Sequence, residues 1–365
     1  MRIGMALNYA GGFAETVAEL GDYEKAGLDI VFVPEAYTFD AVSQLGYIAA
    51  KTQHMQIASG ILPLYSRTPA LLAMTAAGLD YVSGGRFMLG LGASGPQVIE
   101  GRHGVPYDAP IGRSREIIEI CRMVWRRERL AYQGRYYQLP LQGGTGLGKP
   151  LKLINHPVRE RIPIALAAIG PKNVTAAVEL AEAWMPIFYL PEKSAEVWGA
   201  AVTEGRARRD PALGPLDVIA HAALAIGEDV TSLREHSRPE LALYIGGMGA
   251  RGRNFYNDLA RRFGYEAEAK AIQDAYLDGR RASASARRAG GADLADRPAG
   301  LHRRAPGRLP RGRRDHAQRH AAGPHPPGPG PPHRTGPGPG GLALRGTDRG
   351  AYPYSPAAAL RVARA

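Results

Sequence analysis

The sequence predicts an α/β fold, a (β/α)8 barrel with insertions at its C-terminal face, and three observations carry that prediction. Strand-like and helix-like patterns alternate four times within roughly the first ninety residues, with connections short enough to require right-handed parallel crossovers. The stretch Leu79 to Gly95, LDYVSGGRFMLGLGASG, holds one such repeat: a helix end, a tight turn, a buried strand and a glycine-rich exit. At 365 residues and 45% hydrophobic content, the chain can bury one large barrel core.

Arg2 to Asn8 alternates as a first strand does, and Ala14 to Ala26 follows as an amphipathic helix ended by Gly27. Leu28 to Glu35 is a β-branched second strand and Ala41 to Lys51 a second helix. Met55 to Ile61 makes the third strand and Ala70 to Val82 the third helix. Ser83-Gly84-Gly85 stops that helix, since glycine accepts the left-handed conformations a helix exit needs, and Arg86 to Ala93 is the fourth strand. A helix over Ser114 to Arg127 precedes a polar, glycine-rich excursion from Tyr132 to Asn155, read as an insertion over the barrel mouth that selects the substrate. Ile162 to Ile169 is the fifth strand, followed by a helix over Asn173 to Glu182. Trp184 to Tyr189 is the sixth and Ile219 to Ile226 the seventh. Helical patterns fill Val230 to Leu243 and Asn254 to Leu277, so an eighth strand should fall after residue 280.

There the sequence changes kind. Residues 1 to 280 carry 30 Lys plus Arg against 30 Asp plus Glu, whereas residues 281 to 365 carry 16 Arg, no Lys and 4 Asp, so the whole net charge of +12 lies in the tail. The tail is Ala, Arg, Gly, Pro and His without hydrophobic periodicity, and disorder is expected because it cannot bury enough apolar surface to offset its ordering entropy. The last β/α unit thus reads as replaced by a disordered tail, and the bias toward residues with GC-rich codons fits a message read in a shifted frame. Nucleic-acid binding is not expected, since aromatics are interleaved only at Tyr352 and Tyr354. The single cysteine, Cys121, sits in an apolar helical pattern, which excludes a disulfide framework and a thiolate zinc site. No stretch has the apolar length of a membrane span and no signal-peptide profile follows Met1, so a cytoplasmic protein is expected.

In a parallel barrel, ligands meet the C-terminal ends of the strands. Asn8 and Tyr9 follow the first strand, and Glu35, Tyr37, Thr38 and Asp40 the second. Ser59, Gly60 and Ile61 end the third, while Gly92, Ala93, Ser94 and Gly95 leave the fourth with backbone N–H groups exposed. Gly170-Pro171-Lys172-Asn173 opens a helix after the fifth strand, where the dipole, free N–H groups and a lysine can hold a phosphate. No cluster has metal spacing and neither a nucleophile elbow nor a Walker loop occurs, which suits a cofactor that brings its own electronics. Glu35 stands open between proton handling and an ion pair inside the mouth. The body's five histidines, mid-strand His221 among them, read as structural.

Residues 1 to about 280 resemble the luciferase-like flavin and deazaflavin oxidoreductases, in the branch that uses coenzyme F420, such as methylenetetrahydromethanopterin reductase. The resemblance rests on ASGILP from Ala58, RTPALLAMTAAGLDYVSGGRFMLGLGASGPQ from Arg67, PIGRSREIIEI from Pro110, AAIGPKN from Ala167 and LYIGGMGARGRNFYNDLARRFG from Leu243. It implies hydride transfer between F420 and a small organic substrate, with FMN monooxygenase chemistry or cofactor binding without turnover as the alternatives. It further implies a homodimer and a non-proline cis peptide at Gly60-Ile61 behind the deazaflavin ring. Ser59, Gly60 and Ile61 would meet the ring, and Gly92 through Gly95 with Gly170, Pro171 and Lys172 would grip phosphate. The chain departs from the family where a proton-handling residue follows the second strand, offering Glu35 and then Tyr37, and where Glu182-Ala183-Trp184 replaces the usual Ala-Asp-Gly.

Overall fold

A computed structural model of the chain describes residues 1–8, 11–224, 226, 235 and 237–280, and the backbone of residues 358–364. Tyr9 and most of the helix expected before Glu235 lie outside the described residues. The strands are Arg2–Ala6 (β1), Ile30–Val33 (β2), Gln56–Ser59 (β3), Leu62–Pro63 (β4), Phe87–Gly92 (β5), Tyr132–Gln133 (β6), Gln138–Leu139 (β7), Ile164–Ala167 (β8), Ala183–Met185 (β9), Asp217–Ala223 (β10) and Ala358–Arg364 (β11). In order round the sheet, β1, β2, β3, β5, β8, β9 and β10 connect through parallel pairings wherever they are neighbours. The ring closes at β11, which lies antiparallel between β10 and β1, with Ala222 opposite Ala359 and Arg2 opposite Val362. The eighth stave therefore comes from the tail, which was expected to be disordered and to leave that place empty. Leu360 and Val362 alternate there with Arg361 and Ala363, a period of two too short to stand out in a low-complexity stretch.

Two apolar layers follow from the strand alternation. Ile30, Phe32, Ala58, Met88, Ala165, Ala183 and Ile219 fill the barrel interior. Phe87, Leu89 and Leu91 point the other way, into the larger layer beneath the helices. Outside the sheet lie Phe13–Lys25 (α1), Ala41–Lys51 (α2), Pro69–Val82 (α3), Pro96–His103 (α4), Pro110–Trp125 (α5), Pro171–Leu180 (α6) and Pro191–Arg208 (α7). Arg238–Ala242 (α8), Phe255–Arg262 (α9) and Glu266–Leu277 (α10) follow β10. The single helical pattern over Asn254 to Leu277 divides because Gly264 takes φ 82°, a left-handed conformation that ends α9.

The LDYVSGGRF half of the motif runs from the end of α3 to the first residue of β5 and is structural. Asp80 is fully buried and accepts from Phe87 N at 3.2 Å and from Arg159 Nε at 3.1 Å. Arg86 donates to the carbonyls of Ser83, Met55, Ala49 and Thr52, tying α2, α3 and β3 together at the barrel's N-terminal end. Glu182, in the tripeptide that replaces Ala-Asp-Gly, accepts from Ile164 N at 2.9 Å and pairs with Arg122 and Arg161, fixing the start of β8.

Candidate active site

β3 and β5 are joined by one side chain. Ser59 is fully buried, and its hydroxyl donates to Gly90 O and accepts from Gly90 N, both at 2.8 Å. Glycine is required opposite it, since a Cβ on Gly90 would lie 1.9 Å from Ser59 O. Beyond Ser59 the Gly60-Ile61 peptide is cis, and β4 then runs beside the end of β5, with Pro63 opposite Gly92. Here too space is short: a Cβ on Gly92 would lie 2.3 Å from Ile61 Cδ1.

The exit of β8 is fixed by indole and guanidinium donors. Ala168 O accepts from Trp184 Nε1 at 2.9 Å, and Ile169 O from Trp198 Nε1 at 2.9 Å and from Arg262 Nη2 at 2.8 Å. Trp184 meets Trp198 edge-on at 5.2 Å, and Tyr189 stacks on Trp198 at 5.9 Å. This aromatic block sets α6, whose N-cap is Gly170 and whose first turn begins with Pro171 and has no side-chain cap.

The two loops open into one cavity of about 840 Å³ at the C-terminal end of the strands. Gly60, Ile61, Gly92, Ala93 and Ser94 line it, and so do Gly170, Pro171 and Lys172. Ser59 and Gly95, also expected to touch the cofactor, do not. Ser59 is committed to Gly90, and Gly95 is the N-cap of α4. The structure also takes Glu35 and Tyr37 out of the cavity. Glu35 Oε1 and Oε2 accept from Arg67 Nη1 at 2.6 Å and Nη2 at 2.9 Å, and Oε2 also accepts from Ala41 N at 2.9 Å, while Tyr37 is exposed. Of its two readings, Glu35 takes the ion pair.

The excursion from Tyr132 to Asn155 lines no part of the cavity either. Its short β6–β7 hairpin is held to α5 by Glu116, which accepts from the backbone N–H groups of Arg135, Tyr136 and Tyr137. The wall comes instead from β10 and from the segment after it, through His221, Glu240, Tyr244, Phe255, Tyr256 and Arg262. Asn254 shapes that segment, accepting from Tyr256 N and Asn257 N while donating to Tyr244 O and Ile245 O.

Four cavity groups are shifted by desolvation. Burial raises Glu240 and Tyr107 and lowers His221 and Arg262, with Asp258 partly compensating at Arg262. Glu240 lines the cavity but is exposed, so burial acts on it only weakly. Arg262 Nη1 is buried with no hydrogen-bond partner among the described residues. Sequence reasoning missed these groups because His221 read as mid-strand and Glu240 lies in a five-residue helix. The aromatic-rich LYIGGMGARGRNFYN run was the signal that could have found this wall.

A barrel whose strand ends meet in one cavity, with two glycine loops on its wall, defines an α/β-barrel enzyme built around a large ligand. The chain belongs to the luciferase-like monooxygenase family, whose model matches residues 1–295, and is an oxidoreductase of that class. It is 42% identical over 295 residues to a Mycobacterium tuberculosis protein named as a coenzyme F420-dependent oxidoreductase, covering 78% of this chain and 84% of that one. It is 29% identical over 226 residues to 5,10-methylenetetrahydromethanopterin reductase of Archaeoglobus fulgidus, covering 61% of this chain and 64% of the relative. In fold it is similar to the coenzyme F420-dependent tetrahydromethanopterin reductase of Methanopyrus kandleri, with a TM-score of 0.66 at 21% identity over 81% of this chain and 85% of that one. Among the described residues no helix is long and apolar enough to cross a membrane.

Proposed function

We propose that this enzyme transfers a hydride between coenzyme F420 and a small organic substrate. The observation that carries the reading is the meeting of the Gly60-Ile61 turn, the Gly92–Ser94 loop and the start of α6 in one cavity, in a chain 42% identical to a relative named for F420. The donors fit a phosphorylated ring cofactor. α6 offers its uncapped first turn and Lys172, Arg262 Nη1 lacks a described partner nearby on the same wall, and glycine at positions 60 and 92 leaves the backbone bare where a side chain would crowd Phe32 or Ile61. Gly170, Pro171 and Lys172 with Gly92, Ala93 and Ser94 would hold phosphate, and Gly60 and Ile61 would back the ring. Ser59 and Gly95 act one step removed, by fixing those loops. When bound, F420 supplies a ring carbon that gives or accepts a hydride. The chain's own contribution is to fix the ring, to hold the substrate against it and to exclude water with Phe32, Ile61, Met185 and Phe255.

The same reading includes a homodimer. Leu71, Met74, Tyr81 and Val82 form an exposed apolar stripe on α3, with Tyr47 exposed on α2, and a second copy of the chain is the partner we assign to it. Titration of the full chain with F420 and, separately, with FMN tests the cofactor. Saturable F420 binding tighter than FMN binding supports the reading, tighter FMN binding replaces F420 by the flavin, and binding of neither removes it.

A further inference from the structure

The glycine-rich loop in the excursion after α5 lines no part of the cavity, yet it holds apolar side chains out in solvent. Leu141, Leu147, Leu151 and Ile154 are between 71% and 89% exposed. A Cβ added at Gly143, Gly146 or Gly148 would meet nothing within 4 Å, so the tip of the loop stands clear of the body. Its base is anchored. Leu130 N donates to Leu151 O at 2.8 Å, Arg127 donates to Leu153 O at 3.2 Å and to Ile154 O at 3.3 Å, and Leu153 packs against the core.

The same stretch is basic. Residues 126–156 carry six Lys and Arg, namely Arg126, Arg127, Arg129, Arg135, Lys149 and Lys152, against the single acid Glu128, although residues 1 to 280 balance at 30 and 30. Glu128 pairs with Arg126 at 2.5 Å. Arg129, Lys149 and Lys152 are exposed and have no hydrogen-bond or ion-pair partner among the described residues. We propose that this loop is a peripheral docking surface for an anionic lipid bilayer. Leu141, Leu147, Leu151 and Ile154 enter the headgroup region, and Arg129, Lys149 and Lys152 meet lipid phosphates.

The chemistry of the loop favours lipid over protein. Residues 141–156 contain no Phe, Tyr or Trp of the kind that anchors a protein interface, and aliphatic side chains that stand singly between cations suit acyl chains below a layer of phosphates. A second copy related by a two-fold axis would set the basic patch against itself. Both roots of the excursion lie at the N-terminal end of the barrel, since α5 ends there at Trp125 and Arg159 meets Asp80 beside the start of β5. Docking therefore leaves the cavity, at the C-terminal end of the strands, open to solvent. The proposal stands apart from the hydride-transfer reading, and neither depends on the other.

Co-flotation of the full chain with lipid vesicles tests this. The chain should float with vesicles of phosphatidylglycerol and phosphatidylcholine in equal parts, stay behind with phosphatidylcholine alone, and be released by added salt. Lys149→Glu with Lys152→Glu, and separately Leu147→Ser with Leu151→Ser, should each weaken that binding by about tenfold or more while leaving the thermal midpoint in place. Because Cys121 is fully buried, Leu147→Cys takes an environment-sensitive dye at one position, and its emission should move to the blue when the anionic vesicles are added. Double variants that bind as well as the unaltered chain place the contact on the arginine-rich tail and overturn the proposal. Equal binding to both kinds of vesicle, binding to neither, or unmoved emission does the same. Without vesicle binding, retention on immobilised polyglutamate assigns the loop to an acidic protein, and self-association lost in the leucine variant assigns it to a second copy; either result overturns the lipid surface.

Discussion

Arg67 holds Glu35 through both terminal nitrogens, Nη1 to Oε1 at 2.6 Å and Nη2 to Oε2 at 2.9 Å, with side chains only 12% and 8% exposed. The same guanidinium reaches Asp40 Oδ1 at 2.6 Å, and Asp40 is the N-cap of α2. Glu35 thus joins the exits of β2 and β4 to the start of a helix. Glu35→Ala leaves Arg67 short of its principal partner in a largely buried site and is expected to destabilise the fold by about 3 kcal/mol. Urea unfolding measures that loss, and F420 affinity of the folded fraction should change less than about threefold.

Ser59 serves both polar groups of Gly90, so Ser59→Ala strands a buried N–H and weakens a buried carbonyl. The expected loss is about 1–3 kcal/mol, read as a lower thermal midpoint. Gly90→Ala should be worse, because its Cβ meets backbone rather than a side chain that can move. Failure to accumulate as soluble protein is the expected outcome there.

Lys172 stands at the first turn of α6 beside the cavity. Lys172→Ala should weaken F420 binding roughly fivefold, equivalent to about 1 kcal/mol, with the difference shrinking as salt is added. Fluorescence titration at two ionic strengths checks both the size and the salt dependence.

His221 and Glu240 give the fold opposite responses to pH. His221 is lowered from 6.5, so the unfolded chain takes up its proton first, and stability present above about pH 6.5 is lost as pH falls through the folded value. Glu240 is raised from 4.5, so its contribution is complete below about pH 4.5 and is lost as pH rises through the folded value. Urea midpoints measured across this range should lose the first slope in His221→Gln and the second in Glu240→Gln.

On α3, Met74 is 53% exposed in the middle of the apolar stripe. If the proposed homodimer forms through this stripe, Met74→Glu places a charge at its centre and is expected to shift the chain toward monomer. Light scattering across a concentration series reads the change.

The barrel was legible because strand and helix periods differ, and each of the seven parallel strands carries its own run of apolar residues. Which end of a strand carries chemistry was less legible. Asp80 and Arg86 sit in the motif that looked most functional, yet they act at the N-terminal end, and only Gly92 to Ser94 reach the cavity. Glu35 had the right position for proton handling, but its partner Arg67 lies 32 residues on, beyond any local pattern. The Tyr132 to Asn155 excursion has the composition of a mouth loop, and what directs it elsewhere is the buried Glu116 of α5. His221 read as mid-strand and Glu240 as part of a helix over Val230 to Leu243, so nothing in the sequence marked either as lining the cavity.

Residues 358–364 leave the ribosome after every other described strand, and they are the ones that sit between β1 and β10. Until they emerge, the earliest-made strand and β10 each have one side without its final neighbour. A chain that stopped short of residue 358 would leave β1 and β10 each with a bare edge open to pairing with another copy.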